Sequence, residues 1–137
     1  MNLCSLLLAF LFTFLSGSSA TYTAQGKASF YADRMHGHRT ASGARYDKAK
    51  LTAAHATLAY NTKVLVTNLE NGKTVVVTIN DRMASSRHNI IDLSKAAAKE
   101  LDIVRAGTGS VQLKTLVNSE TAQQDLPLNV SEATEAQ

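Results

Sequence analysis

Beyond the first twenty residues the chain is patterned by alternation of apolar and polar positions. Lys27-Ala28-Ser29-Phe30-Tyr31 alternates, Val64-Leu65-Val66 is a short apolar run, and Thr74-Val75-Val76-Val77-Thr78-Ile79 is a longer one. Successive strand residues point to opposite faces, so Val75, Val77 and Ile79 share one face and Thr74 and Thr78 the other. Asn71-Gly72 lies between the second and third runs and is a strong short-range hairpin signal. Asn89-Ile90-Ile91-Asp92 predicts a further short strand, and Val111, Leu113 and Thr115 alternate again. A hairpin flanked by more short strands predicts a small, mainly β, closed barrel.

A helix interrupts the strands. Ser94 can act as N-cap, its hydroxyl accepting a bond from an otherwise unpaired amide, and Lys95-Ala96-Ala97-Ala98-Lys99-Glu100-Leu101 has high helix propensity. Leu93, Ala97 and Leu101 fall on one face and should pack on the barrel, a structural role. Gly107 and Gly109 mark the turn into the last strand.

Residues 3–15 are almost unbroken in apolar character and run into Ser18-Ser19-Ala20. This is the order of a secretory signal, hydrophobic region then small-residue cleavage site. The run is shorter than the roughly 20 residues of a comfortable membrane span, so no stable span is expected. An uncleaved anchor is the alternative, because no basic side chain precedes the apolar run. Cys4, the only cysteine, lies at the wrong end of the run to be the lipid-bearing residue of a lipoprotein. A chain cleaved after Ala20 has no thiol, hence neither a disulfide nor a thiolate zinc site, and folds on core packing alone. The expected division is a signal peptide over residues 1–20, one barrel domain over 21–116 and a tail over 117–137, with a periplasmic or secreted location.

Charge divides the body from the tail. Residues 21–116 carry 14 Lys plus Arg against 7 Asp plus Glu, whereas residues 117–137 carry four acidic residues and no basic one. A basic exported body suits an anionic polymer such as cell wall, surface glycan or nucleic acid, or is simply a solvated surface. The tail, rich in Ser, Thr, Glu, Gln and Ala around Pro127, lacks periodicity and reads as disordered.

Several segments in order carry a resemblance: Gly26-Lys-Ala-Ser-Phe-Tyr31, Thr40-Ala-Ser-Gly43 with Tyr46-Asp47, Leu51-Thr-Ala-Ala-His55, Val66-Thr-Asn-Leu69, Ile79-Asn-Asp-Arg82 and Ile90-Ile-Asp-Leu-Ser94. In sequence and spacing they resemble the bacterial rare lipoprotein A family over about residues 26 to 116. The resemblance implies a six-stranded double-psi β-barrel with one or two short helices, a fold shared with expansins and family 45 glucanases. It implies a periplasmic or outer-membrane septal protein acting on peptidoglycan glycan strands, with septal or cell-envelope proteins as further partners, and a monomer is expected. It also implies endolytic transglycosylation of the bond between N-acetylmuramic acid and N-acetylglucosamine, on glycan lacking stem peptides.

That reaction needs an acid to protonate the glycosidic oxygen while positive charge develops on the sugar ring. The C6 hydroxyl of the muramic residue then attacks, leaving a 1,6-anhydro end, so neither cofactor nor enzyme nucleophile is required. By the resemblance Asp81, in Asn80-Asp81-Arg82, is the candidate acid; its alternative role is to anchor a loop. Partial burial would help it hold a proton near neutral pH, and a direct pair with Arg82 would oppose that. His55 matches a position near the cleft and is the second catalytic candidate, or else a satisfied barrel histidine holding a turn at 52–55. Substrate-binding candidates are Arg82, Tyr46, Asp47, Thr40, Arg87 and His88; Tyr31 and Phe30 could also stack on sugars, although alternation places Phe30 in the core. His36 and His38 lack an evident third ligand, so no metal is expected. Asp92 reads as a hydrogen-bonding or capping residue.

Two departures weaken the match. Where many family members have Gly-Glu before the aromatic-Asp pair, this chain reads Gly43-Ala44-Arg45-Tyr46-Asp47, and alanine transfers no proton. The Gly-Pro that usually follows Asn-Asp-Arg is replaced by Met83-Ala84, which implies a looser loop. The alternative function is therefore a non-catalytic, expansin-like module that binds or loosens the wall. Nucleic-acid binding is disfavoured, since export removes the usual partner and no aromatic stacking platform is evident.

Overall fold

The computed structural model describes residues 21–117. The signal expected over 1–20 and the acidic tail beyond Val117 lie outside the described residues. Strands β1 (Thr23–Phe30), β2 (Thr52–Ala54), β3 (Lys63–Asn68), β4 (Thr74–Asp81), β5 (Asn89–Leu93) and β6 (Gly109–Thr115) are joined by one α-helix, α1 (Lys95–Glu100), and a single 3-10 turn at Asp33–Met35. They close into a barrel in the order β1-β5-β2-β4-β3-β6. The pairs β1/β5 and β2/β4 are parallel and the other four are antiparallel. This is the six-stranded barrel expected, and closure removes the unpaired edges that an open sheet would leave.

The strand period fills the interior. Val64 and Val66, Val75, Val77 and Ile79, Ile91 and Leu93, and Val111 and Leu113 all point inward and are buried, joined by the small Ala28 and Ala53. Helix α1 closes the cluster with Ala97, Ala98 and Leu101, and Ile103 follows it in. The Ser94 hydroxyl accepts the Ala97 amide at 3.2 Å, the N-cap expected from the sequence. Ile91 is completely buried, so Ile91→Ala should lower unfolding free energy by about 2–5 kcal/mol in a urea titration.

Two local readings change, at residues 52–54 and at Phe30, and the hairpin expected through Asn71-Gly72 is present as the antiparallel pair β3/β4. Residues 52–54 form strand β2, central between β4 and β5, rather than a turn; three residues are too few to show a period. In the connection between β3 and β4, Gly72 takes φ +76° and its amide donates to the Asn68 carbonyl at 2.8 Å. The Asn68 and Asn71 side-chain amides both reach the Leu101 carbonyl, at 2.9 and 3.1 Å, tying this loop to the end of α1. Phe30 is half-buried and packs on the margin of the core rather than within it.

An extra residue near the end of β4 determines where the candidate acid sits. Ala53 pairs with Ile79 and Ala54 with Asp81, which leaves Asn80 unmatched. Simple alternation would carry Asp81 inward behind Val75, Val77 and Ile79. The bulge turns it instead to the outer face with Ala54. There Tyr31, Tyr46 and Ala54 form a second, smaller buried cluster with Met35 and Met83 against it.

Candidate active site

Residues 37–46 fold back on themselves over this outer cluster. Arg39 and Arg45 pair as an isolated bridge, the Thr40 amide and hydroxyl both donate to the Ala44 carbonyl at 2.7 Å, and Gly43 takes φ +94° at the tip. The hairpin brings the Ala41 amide to Asp81 Oδ1 at 2.8 Å, where the Arg82 amide also donates at 2.8 Å. The Tyr31 hydroxyl donates a hydrogen bond to Asp81 Oδ2. Burial, and after it the bond to Asp81, pushes the Tyr31 phenol far above the usual tyrosine range, so it keeps its proton and serves as donor. The carboxylate is thus held at a fixed angle by two backbone amides and one phenol.

Arg82 does not join it. Its guanidinium lies 4.3 Å from the centre of the Tyr60 ring, and Nη1 donates to the His55 carbonyl at 3.3 Å. Its charge is engaged in a cation–π contact with Tyr60 rather than in an ion pair with Asp81. Tyr60, 37% exposed, lines an open groove of about 520 Å³ together with Ala44, Arg45, Asp47, Lys50 and Asn80. The groove runs beside the hairpin that covers Asp81 and carries two cations at its rim.

His55 is buried and bound to Asp81 through the backbone, its amide donating to the Asp81 carbonyl at 3.2 Å. Its Nδ1 accepts the Thr57 and Leu58 amides at 3.1 and 3.0 Å, which places the proton on Nε2, facing the Tyr22 hydroxyl at 3.3 Å. Burial first, and the Arg82 charge second, lower its pKa and keep the ring neutral. The unfolded chain protonates this histidine near pH 6.5 whereas the folded chain resists it. The stability it contributes is therefore present above about pH 6.5 and lost as pH falls through that value toward the folded one. Urea midpoints at pH 7 and pH 5 should accordingly fall further apart in the wild type than in His55→Gln.

The remaining candidates divide. Tyr46 is buried, stacks on Tyr31 with ring centres 4.4 Å apart and accepts the Lys95 amide at 3.0 Å, so it supports the Asp81 donor from behind. Burial raises its pKa, against the Lys95 bond. Thr40 shapes the hairpin, and Asp47 faces the groove while its Oδ1 accepts the Ala49 amide at 2.9 Å. Arg87 and His88 line a separate, shallow groove with Lys27, Leu69 and Ser110, and share no lining residue with the groove beside Asn80. Tyr31, read as a sugar-stacking candidate, is 8% exposed and serves Asp81 instead. His36 Nδ1 accepts the Lys48 amide at 3.2 Å, and among the described residues no three His, Cys, Asp or Glu side chains gather as a metal site.

The Ala41 amide and Tyr60 were not singled out from the sequence. A backbone donor leaves no residue-type signal, and Tyr60 lies in a segment without periodicity.

Comparison with known proteins agrees with this architecture. The family described as "Lytic transglycolase" matches residues 23–113. A relative from Neisseria meningitidis named "Endolytic peptidoglycan transglycosylase RlpA" is 46% identical over 103 residues, 75% of this chain and 43% of that protein. The chain thus spans less than half the length of that curated relative. Two solved structures share the fold: a Streptomyces papain inhibitor (TM-score 0.58, 24% identity, 70% of this chain and 96% of the other) and an expansin from Clavibacter michiganensis (TM-score 0.59, 20% identity, 71% and 52%).

Proposed function

Because this chain belongs to the lytic transglycolase family, whose match covers most of the barrel, we propose that it cleaves peptidoglycan glycan strands internally, as an endolytic transglycosylase. The observation that carries this reading is the Asp81 carboxylate, fixed by Tyr31, Ala41 and Arg82 at the bulged end of β4 beside an open, cation-rimmed groove. Protonated Asp81 gives its proton to the glycosidic oxygen as the bond to the muramic C1 breaks. The C6 hydroxyl of the same sugar closes on C1, and its proton passes to the Asp81 carboxylate, which restores the acid. No water enters the products and no covalent enzyme intermediate forms.

Tyr60 supplies an aromatic face along the groove and Arg82 holds the ring from one side. Asp47, also lining the groove, offers a hydrogen-bond acceptor to sugar hydroxyls. His55 organises the 55–58 loop and the backbone behind Asp81 through the two amides that its Nδ1 accepts, a supporting role. The leader-like residues 1–20 and the basic body support a periplasmic site of action, where the polymer lies.

Incubating the full chain with peptidoglycan, intact and stripped of stem peptides, and analysing soluble products by mass spectrometry tests the reading. New 1,6-anhydromuramyl ends, more abundant from stripped glycan, are the expected result. Ala44 in place of a family glutamate favours a second reading, a wall-binding module on the same barrel; sedimentation with the wall and no new ends is the outcome that selects it.

A further inference from the structure

Asp92 is the half-buried carboxylate that the reaction above leaves unused. Ser29, Asp92, Ala54 and Asp81 are successive register partners across β1, β5, β2 and β4. Residues paired in register share a face, and the neighbouring set Phe30, Leu93, Ala53 and Ile79 faces the core. The row of four therefore points outward, under the cluster made by Tyr31 and Tyr46. Ala54 stands between the two aspartates in register, and their backbones are about 10 Å apart across two strand spacings. The Ser29 hydroxyl donates to Asp92 Oδ1 at 3.2 Å and fixes the side chain in the row.

This arrangement answers a difficulty in the chemistry. Three donors fix Asp81 in place, and an acid must also carry a proton before it can give one. Two carboxylates on one face share a proton more readily than both lose one. We propose that Asp92 is a positioning residue for Asp81, a fixed carboxylate behind Ala54 whose charge draws to the pair the proton that Asp81 delivers. This role rests on the glycan-cleaving reading of Asp81. The groups facing the pair are Ser29 on β1 and Tyr31 beyond it, Tyr46 from the hairpin and Arg82 beyond β4, the last turned to Tyr60; Lys95 is engaged with Asp33 at 3.5 Å.

Burial raises the Asp92 pKa, the Ser29 bond opposes it, and the Asp81 charge raises it further. A carboxyl that binds its proton more tightly in the folded state gives stability that is full below about pH 3.9 and is lost as pH rises through the folded value. At neutral pH the charged Asp92 therefore burdens the fold, whereas a merely structural hydrogen-bonding residue would support it.

The test uses the full chain as wild type, Asp92→Asn, Asp92→Glu and Asp81→Asn. Asp92→Asn should melt at pH 7 no lower than wild type, yet form anhydro ends about tenfold more slowly at neutral pH, with its active range moved to lower pH and glycan binding retained. Asp92→Glu should recover most of the rate. Carboxyl NMR titration should show the Asp92 midpoint falling in Asp81→Asn, because the two groups titrate as a pair. An unmoved Asp92 midpoint, or an unchanged rate and pH range in Asp92→Asn, would overturn the assignment. Should the wild type form no anhydro ends at all, the cleaving function fails separately, and the titration still decides whether the carboxylates are coupled.

Discussion

Asp81→Asn should abolish the release of 1,6-anhydromuramyl ends from stripped glycan, by about 10³-fold or more, while leaving the fold and wall sedimentation intact. The size follows from the double duty proposed for it: one carboxyl both protonates the leaving oxygen and receives the C6 proton, and loss of a single acid–base function already costs about 10²–10⁴-fold. The substitution is also unusually clean. Asn keeps a carbonyl oxygen where Oδ1 now accepts the Ala41 and Arg82 amides, so the hairpin stays docked. Its amide nitrogen takes the place of Oδ2, and the Tyr31 hydroxyl turns from donor to acceptor without moving. Asp81→Ala lacks this property, since it would free the hairpin and confound chemistry with folding. Parallel measurement of products and of sedimentation is therefore informative for the Asn variant. Equal loss of both would mean that Asp81 serves binding and that the catalytic reading is wrong.

The barrel was legible because its strands obey a simple period. Val75, Val77 and Ile79 on one face, and Val111 with Leu113, announce a closed core before any pairing is known. Helix α1 was legible through Ser94 and the alanine run. Strand β2 was not, because Thr52, Ala53 and Ala54 are too few and too small to display alternation, and they become a strand only when β4 and β5 pair on either side. The site follows the same division. The motif around Asp81 marked the residue, but its orientation depends on Asn80 being unmatched, and a bulge is a property of two strands rather than of one sequence. Arg82 was a reasonable partner for Asp81 by adjacency; Tyr60, distant in sequence, draws it away. Arg87 and His88 show the limit of adjacency in the other direction, since a few residues of loop carry them to a different groove.

Ala44→Glu should raise the rate of anhydro-end formation by about 10- to 100-fold, a partial return of the factor that a lost acid–base partner costs. The position is prepared for a longer side chain. Ala44 is exposed, lines the groove with Asp47, Asn80 and Tyr60, and is anchored only through its backbone, whose carbonyl accepts the Thr40 amide and hydroxyl at 2.7 Å. A glutamate there leaves that turn unchanged and brings a carboxylate to the same hairpin that places the Ala41 amide on Asp81. The gain should disappear in Ala44→Glu combined with Asp81→Asn, because a second carboxylate cannot replace a proton donor that must hold one fixed position. Product mass spectrometry on the single and double variants reads both results. If Ala44→Glu changes nothing while the wild type is active, Asp81 with its Tyr31 and Asp92 neighbours carries the proton chemistry on its own, and the alanine is tolerated because the burden has moved to the outer row of the barrel.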